Sequence, residues 1–364
     1  ITYKDYNNIN FKVEHLTGGN TNILYLITPE VTNEIEQYIV RLYGLGTEDF
    51  IDRQIENTIF AELSKSGISP KFLGLFSNGR VEGYINARSL SPDEFSDIPI
   101  GRSIAKAMAN FQHISIDIDR NVGLWNKLHV FFSLAKDNIA QNRLPKLNSY
   151  SIQLDQMSQE AVWLERTVEE IKNKITLEVE TSDYIKGKQF AYEVVLCHND
   201  VLSGNVLLHA TNENSQNVNE TIFQKIPQND SEADPKVTLI DYEYSCYSYR
   251  AFDIANHFCE YAGFLFDIKN KFPTELHRKE WERQFILQSY QLQQRENVTI
   301  SDEFLNGFDE IIMKFVLVSH LFWGSWAVIQ AAHSLIDFDF LEYAQKRFEG
   351  YYYHKEMINF ESEH

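Results

Sequence analysis

Two carboxylates and an amide stand in this sequence at spacings that phosphoryl transfer can use. Asp200, in His198-Asn199-Asp200-Val201-Leu202-Ser203-Gly204-Asn205, lies between the apolar segments Val194-Val195-Leu196-Cys197 and Val206-Leu207-Leu208. A third apolar segment, Val237-Thr238-Leu239-Ile240, runs into Asp241 and then Glu243. A carboxylate at the end of a buried strand can orient a hydroxyl and accept its proton, and oxygen ligands can hold magnesium against phosphates. Asp200 suits the first task. Asn205 and Asp241 suit the second, with Glu243 as a further metal or supporting group. A lone His-x-Asp is usually just a hydrogen-bonded loop, but Asp-x-x-x-x-Asn between apolar strands, followed by a strand ending in Asp, is far rarer. His198 has two readings, a general base or a scaffold for the loop, and scaffold is the expected one.

Upstream, Arg41 is the one charged side chain in the alternating run Val40-Arg41-Leu42-Tyr43. A cation there can meet nucleotide phosphates and pair with a carboxylate on the next helix, for which Glu56 is the candidate. Leu16-Thr17-Gly18-Gly19-Asn20-Thr21-Asn22 can lay backbone N–H groups over phosphates, with Gly18, Gly19, Asn20, Thr21 and Asn22 as the contacts. No Gly-Lys-Ser/Thr follows, so this is not a Walker A loop, and a tight hairpin would read the same way. Glu82 to Ile85 is the candidate hinge for main-chain hydrogen bonds to adenine.

Elements that could position these groups are visible in the periodicity. Strands are expected at Phe11–Glu14, Ile23–Ile27 and Tyr38–Tyr43, then at Phe72–Phe76 and Gly83–Ile85 around Asn78-Gly79. A helical stripe of Ile55, Ile59, Phe60 and Leu63 runs between Asp49 and Ser66. Later helices are expected at 100–113, 151–175, 250–262, 278–296, 302–333 and 338–357. The polar stretch from Ala210 to Lys236 reads as a solvated hairpin tip. This is an α+β pattern with a small β-rich part (1–86) ahead of a large helical part (87–364) that holds the motifs.

The chain has 364 residues, with 52 Asp and Glu against 33 Lys and Arg, a formal charge of −19. That balance argues against nucleic-acid binding, which needs surplus cations. Cys197, Cys246 and Cys259 share no Cys-x-x-Cys spacing, so neither a disulfide framework nor a zinc site is expected, and a reducing, cytoplasmic setting fits. No unbroken apolar run reaches the roughly 18 residues of a membrane span. The chain starts at Ile1, and what precedes that residue is left open.

These motifs resemble the choline/ethanolamine kinase family, within the wider kinase-like phosphotransferases. The resemblance covers most of the chain and is most specific in Ile240-Asp241-Tyr242-Glu243-Tyr244 with Tyr249-Arg250-Ala251-Phe252-Asp253-Ile254-Ala255-Asn256-His257-Phe258. It implies a two-lobed protein-kinase-like fold, with residues 1–86 as the nucleotide-binding lobe and 87–364 as the catalytic and amine-binding lobe. It further implies ATP and Mg2+ as cofactors, Asp200 as catalytic base, Asn205 and Asp241 as magnesium ligands, Glu243 near the metal, and Arg41 on the ATP phosphates. Choline or ethanolamine would be the substrate, in the first step of the cytidine-diphosphate route to phospholipids. Trp323, Trp326 and Tyr343 match the family's aromatic cage, and Glu260 with Tyr261 or Phe264 would complete it, aromatic faces plus a carboxylate being a good host for a small cation. The competing reading, that such a stripe is simply core, is usual for aromatics at helical spacing. The segments Leu202–Asn205 and Glu260–Phe264 lean towards ethanolamine, with dual acceptance open. The resemblance also leaves room for a homodimer, which no residue pattern shows. Two alternatives stand beside this reading: a phosphotransferase of the aminoglycoside or homoserine type, and a catalytically dead kinase-like binding protein.

Overall fold

The computed structural model describes residues 10–16, 22–30, 36–44, 51–178, 182–210, 234–295, 298–334, 336–358 and 360. Alternating apolar residues near the N-terminus form β1 (Phe11–Leu16), β2 (Asn22–Pro29), β3 (Tyr38–Tyr43), β4 (Phe72–Phe76) and β5 (Gly79–Gly83). They make one antiparallel sheet in the order β1-β2-β3-β5-β4. Between β3 and β4 runs α1 (Arg53–Lys65), started by Asp52, whose carboxylate accepts from the N–H groups of Gln54 and Ile55. Ile59, Phe60 and Leu63 bury its apolar stripe, and Glu56 is buried with them.

One expected strand is displaced. The strand looked for at Gly83–Ile85 occupies Gly79–Gly83 instead, because the β4–β5 hairpin turns at Ser77-Asn78 and pairs Phe76 with Gly79. Gly79 passes so close to β3 that a Cβ there would lie 2.2 Å from the Arg41 carbonyl oxygen. The shift puts Arg80 and Glu82 on the sheet face shared with Arg41.

The remainder is largely helical. It comprises β6 (Ala87–Ser89), α2 (Ile98–His113), α3 (Leu124–Ala140), α4 (Leu154–Leu177), α5 (Asp183–Ala191), β7 (Val194–Cys197), β8 (Val206–His209), β9 (Val237–Leu239), β10 (Cys246–Tyr249), α6 (Arg250–Glu260), α7 (Ile268–Lys271), α8 (Glu275–Leu292), α9 (Asp302–His333) and α10 (Phe340–Met357). The small sheets β6-β8-β9 and β10-β7 are both antiparallel. The polar stretch expected between Ala210 and Lys236 lies outside the described residues, apart from Ala210 and 234–236.

Helix α9 is the axis of the large lobe. Its length and apolarity would suffice to cross a bilayer, which no unbroken apolar run had indicated, yet 89% of its most apolar window is buried inside the protein. That burial marks a core helix. Against it α5 packs backbone to backbone: a Cβ on Gly307 would fall 2.0 Å from the Tyr184 carbonyl oxygen, and one on Gly187 would fall 2.1 Å from that of Phe304. Gly307→Ala is therefore expected to destabilise the fold by about 3 kcal/mol, the upper end of overpacking costs. Urea denaturation measures this, and a change under about 0.5 kcal/mol would show that the two helices can part freely.

Candidate active site

Two ladders bring the polar loops face to face. In the first, Cys197 on β7 pairs with Cys246 on β10. In the second, Val206 on β8 pairs with Leu239 on β9. Residues 198–205 and 240–245 are thus the two connections at the same end of the paired strands. They are stitched together: the Ile240 N–H donates to the Asn205 carbonyl at 3.0 Å, and Asn199 Nδ2 donates to the Tyr244 carbonyl at 3.0 Å.

Both loops hold a residue in a conformation that L-residues avoid, Asn199 with φ 66° and Asp241 with φ 70°. Such residues persist only where the surroundings over-determine them. For Asn199 the determinant is Asp253, in the first turn of α6. Its carboxylate accepts the N–H of Asn199 at 2.7 Å, the N–H of His198 at 3.2 Å and Gln112 Nε2 at 2.8 Å. Asp253 was quoted in the sequence signature without a role, and the structure gives it one.

Burial outweighs these hydrogen bonds and raises Asp253 from the ordinary 3.8 to about 6. The native state then binds the proton more tightly than the unfolded chain. Its cost is absent below about pH 4, develops as pH rises to about 6 and is flat above, about 3 kcal/mol in all. Relative to Asp253→Asn, the parent should lose stability by that order between pH 4 and 7 in urea titrations. A difference moving in the parent's favour over that window would contradict the buried-acid account.

His198 is fully buried, and both ring nitrogens are engaged: Nε2 donates to the Ile240 carbonyl at 3.1 Å, and Nδ1 accepts the Asp200 N–H at 3.3 Å. Burial lowers its pKa to about 4. No nitrogen is left for a substrate proton, so the geometry argues for the scaffold, the expected reading of His198, and against the general-base alternative. Asp200 is partly exposed at the loop tip, and Asn205 Nδ2 donates to its Oδ2 and to its carbonyl, both at 2.9 Å. Burial, and then the carboxylates of Glu260, Asp241 and Glu243, push Asp200 well above the usual carboxylate range. The acid cluster is therefore tight, and it favours any cation that enters it.

Asn205 has committed its amide nitrogen, which leaves Oδ1 free to serve as an oxygen ligand, and its backbone carbonyl is tied to Ile240, the residue before Asp241. Among the described residues no three His, Cys, Asp or Glu side chains form a closed metal cage. Magnesium held together with phosphates needs only one or two carboxylates, so this donor set fits it. Glu243 is raised to about 8 by burial and by Asp241. Between the two carboxylates Tyr242 turns into the core, its ring 5.4 Å from Phe60 of α1, 5.9 Å from Phe111 of α2 and 5.5 Å from His198.

On the sheet, the expected Arg41–Glu56 pair is not made. Arg41 and Arg80 sit opposite each other across β3 and β5, and Glu82 Oε1 accepts from both, at 2.9 Å from Arg41 Nε and 2.7 Å from Arg80 Nε. Glu56 takes Arg80 at 2.5 Å and Arg53 at 2.7 Å. Arg41 reaches the large lobe, with NH1 3.4 Å from Asp241. The cause is the strand shift, which placed a second arginine nearer the helix. Arg53 meets Glu243 at 3.2 Å and Asn22 Oδ1 at 3.3 Å. Asn22 thus belongs to the cluster, while Gly18, Gly19, Asn20 and Thr21 lie outside the described residues. The hinge reading is corrected for Glu82, whose backbone is inside β5 and whose side chain holds two arginines. Ile85 stands two residues beyond that strand, and it makes no hydrogen bond among the described residues.

The aromatic residues assemble around Tyr244, another residue without a predicted role. Trp323 and Trp326, one turn apart on α9, have ring centroids 5.5 Å apart. Tyr244 stands 5.1 Å from Trp323, and its hydroxyl accepts from Trp326 Nε1 at 2.7 Å. Trp323 Nε1 donates to Asn256 Oδ1 at 3.2 Å. Phe340 and Phe338 extend the wall to Tyr343. Phe264 is half exposed at its rim, 6.3 Å from Phe338. Tyr261 is not part of it: it packs on Phe95 and His257, and its hydroxyl lies 3.2 Å from His277 Nε2. It follows Glu260 with its backbone still helical (φ −58°, ψ −27°), and that one step turns its side chain about 100° away from that of Glu260. Glu260 itself is bound by Arg347 at 2.5 Å.

Comparison with known proteins agrees with this geometry. Residues 13–352 match the family model described as Choline/ethanolamine kinase. A probable ethanolamine kinase A of Dictyostelium discoideum is 32% identical over 355 residues, covering 96% of this chain and 87% of its own length. A probable choline kinase 2 of Arabidopsis thaliana has the same identity and coverage. Among solved structures, a choline kinase from Cryptosporidium parvum superposes with a TM-score of 0.73 at 24% identity, covering 97% of this chain and 92% of its own. A Plasmodium vivax ethanolamine kinase gives 0.70 at 24% identity, over 96% and 83%. The fold is therefore the two-lobed protein-kinase-like one, and the chain belongs to the choline/ethanolamine kinase family.

Proposed function

We propose that this protein transfers the γ-phosphoryl group of ATP to the hydroxyl of a small amino alcohol, ethanolamine in preference to choline. The observation that carries the reading is Tyr244. Its carbonyl accepts from the catalytic-loop Asn199, and its ring and hydroxyl hold both tryptophans of the aromatic wall. One residue thus joins a proton acceptor to a cation host, as a substrate with a hydroxyl and an ammonium two carbons apart requires.

In this reading Asp200 orients the substrate hydroxyl and takes its proton while the new O–P bond forms and the bond to the departing ADP oxygen breaks. Asn205 fixes Asp200 through Nδ2, and Asn205 Oδ1 and Asp241 would hold magnesium, with Glu243 beside them. The ion would neutralise phosphate charge in the transition state. Arg41, anchored by Glu82, would meet the phosphates, and Ile85 would offer its backbone to adenine. Trp323, Trp326, Tyr244 and Tyr343 would face the ammonium, with Glu260 at the edge. We set the lobe boundary at residues 86 and 87, where the chain leaves the first sheet and β6 joins β8. The three free cysteines suit a reducing compartment, and we place the protein in the cytoplasm.

The test is a coupled assay of ADP release with ethanolamine and choline side by side, each with and without magnesium. Magnesium-dependent turnover that needs the amino alcohol is expected. Turnover on an aminoglycoside or homoserine, with neither amine accepted, would overturn the reading.

A further inference from the structure

A fully buried guanidinium stands behind the proposed amine site, where a bare positive charge should repel the substrate. Arg347 of α10 is 0% exposed. Its Cζ lies 4.1 Å from the Phe266 ring centroid, so the ring fixes its plane. Within that plane, Nε donates to the Tyr343 hydroxyl at 2.8 Å and NH2 donates to Glu260 Oε1 at 2.5 Å. Tyr343 and Arg347 are four apart on α10 and share a face. Glu260 is the last residue of α6, where the helix dipole disfavours a carboxylate and a cation compensates it.

The fork therefore does more than neutralise a charge. It sets the spacing between an aromatic face and a carboxylate, the two kinds of group that can hold an ammonium. With Oε1 taken, Oε2 is the Glu260 oxygen without a partner among the described residues. A primary ammonium can donate N–H to that oxygen, whereas a quaternary one has nothing to donate and relies on π faces and net charge. The carboxylate is already paired, so it offers a directional acceptor more than an unbalanced charge. That arrangement rewards N–H donors.

We propose that Arg347 is the positioning residue that sets the amine preference, by holding Glu260 and Tyr343 in one planar fork so that the site favours a primary over a quaternary ammonium. This rests on the kinase reading above. Arg347→Lys keeps the charge but cannot span both partners in one plane. The kcat/KM for ethanolamine should fall about 10-fold and that for choline less than about 3-fold, the size of a lost hydrogen bond to a charged group. The loss should reside in KM for the amine, with KM for ATP unmoved.

In a Glu260→Gln background, the same substitution should leave the ethanolamine-to-choline ratio unchanged, because the group through which it acts is gone. Equal losses for the two amines, or the same ratio change in both backgrounds, would overturn the role of Arg347, as would a parent that accepts choline and not ethanolamine. If Arg347→Lys does not fold, Tyr343→Phe removes only the hydroxyl that receives Nε. It should shift the ratio in the same direction by about 3-fold, and an unchanged ratio there would overturn the proposal too. A parent active on neither amine would instead remove the kinase reading itself, so the two failures are distinct.

Discussion

Asp200→Asn should lower kcat by about 10²- to 10⁴-fold, the range contributed by a positioned general base, while KM for ATP stays within about twofold. Asn keeps the shape of the side chain and an oxygen for Asn205 Nδ2, so the loop retains its geometry. What it loses is the lone pair that accepts the hydroxyl proton. The parent carries a second signature. Burial and the neighbouring Glu260, Asp241 and Glu243 carboxylates push Asp200 above the ordinary carboxylate range, and kcat/KM reports groups of the free enzyme. The acid limb of kcat/KM should lie above that range and vanish in the variant, whereas in kcat the bound cations should shift it to lower pH. A variant turning over within about tenfold of the parent would remove Asp200 as the base.

The second large effect is expected at Asp241. Asp241→Asn should reduce turnover about 10³-fold at a magnesium concentration that saturates the parent, and raise the concentration needed for half-maximal rate at least about 10-fold. The fold should not suffer. Asp241 raises the pKa of its neighbour Glu243, so removing its charge relieves a repulsion, and among the described residues only Arg41 at 3.4 Å loses a partner. Thermal melts without magnesium should therefore show the variant no less stable than the parent, as expected where function rather than stability demands the charge. A variant that kept the parent's magnesium dependence would show that the metal is held elsewhere.

That the loops of Asp200, Asn205 and Asp241 meet was legible because the signal is local: all three lie next to apolar strands whose pairing forces the loops together. The aromatic wall was half legible. Helical spacing brought Trp323 and Trp326 together on one helix, but Tyr261 faces elsewhere, because adjacent residues on helical backbone point about 100° apart. The ion network on the sheet was misread for a different reason. Glu56 and Arg41 stand out in their helix and strand, whereas Arg80 lies ahead of the strand expected at Gly83–Ile85. Reading Arg80-Val81-Glu82 as an alternating strand opposite Val40-Arg41-Leu42 would have exposed it. Asp253 and Arg347 act through tertiary hydrogen bonds to the backbone and to residues far away in the chain, and no spacing announces such contacts. α3 and α5 are not among the expected helices; α5 is short and holds Gly187, a poor helix former that packs closely on α9.

Tyr242 carries one more consequence, for how this enzyme can vary. Its neighbours in sequence are the two acidic groups, yet its ring belongs to a stack that includes Phe60 from one lobe and Phe111 from the other. A change of size at position 60 or 111 reaches the carboxylates through that ring without touching either. In a library of random substitutions, both positions should be recovered among clones that express a folded protein with poor turnover. Second-site revertants of such clones should map to residue 242 more often than to the exposed surface. The interior around Tyr242 is then under selection for activity as much as for solidity.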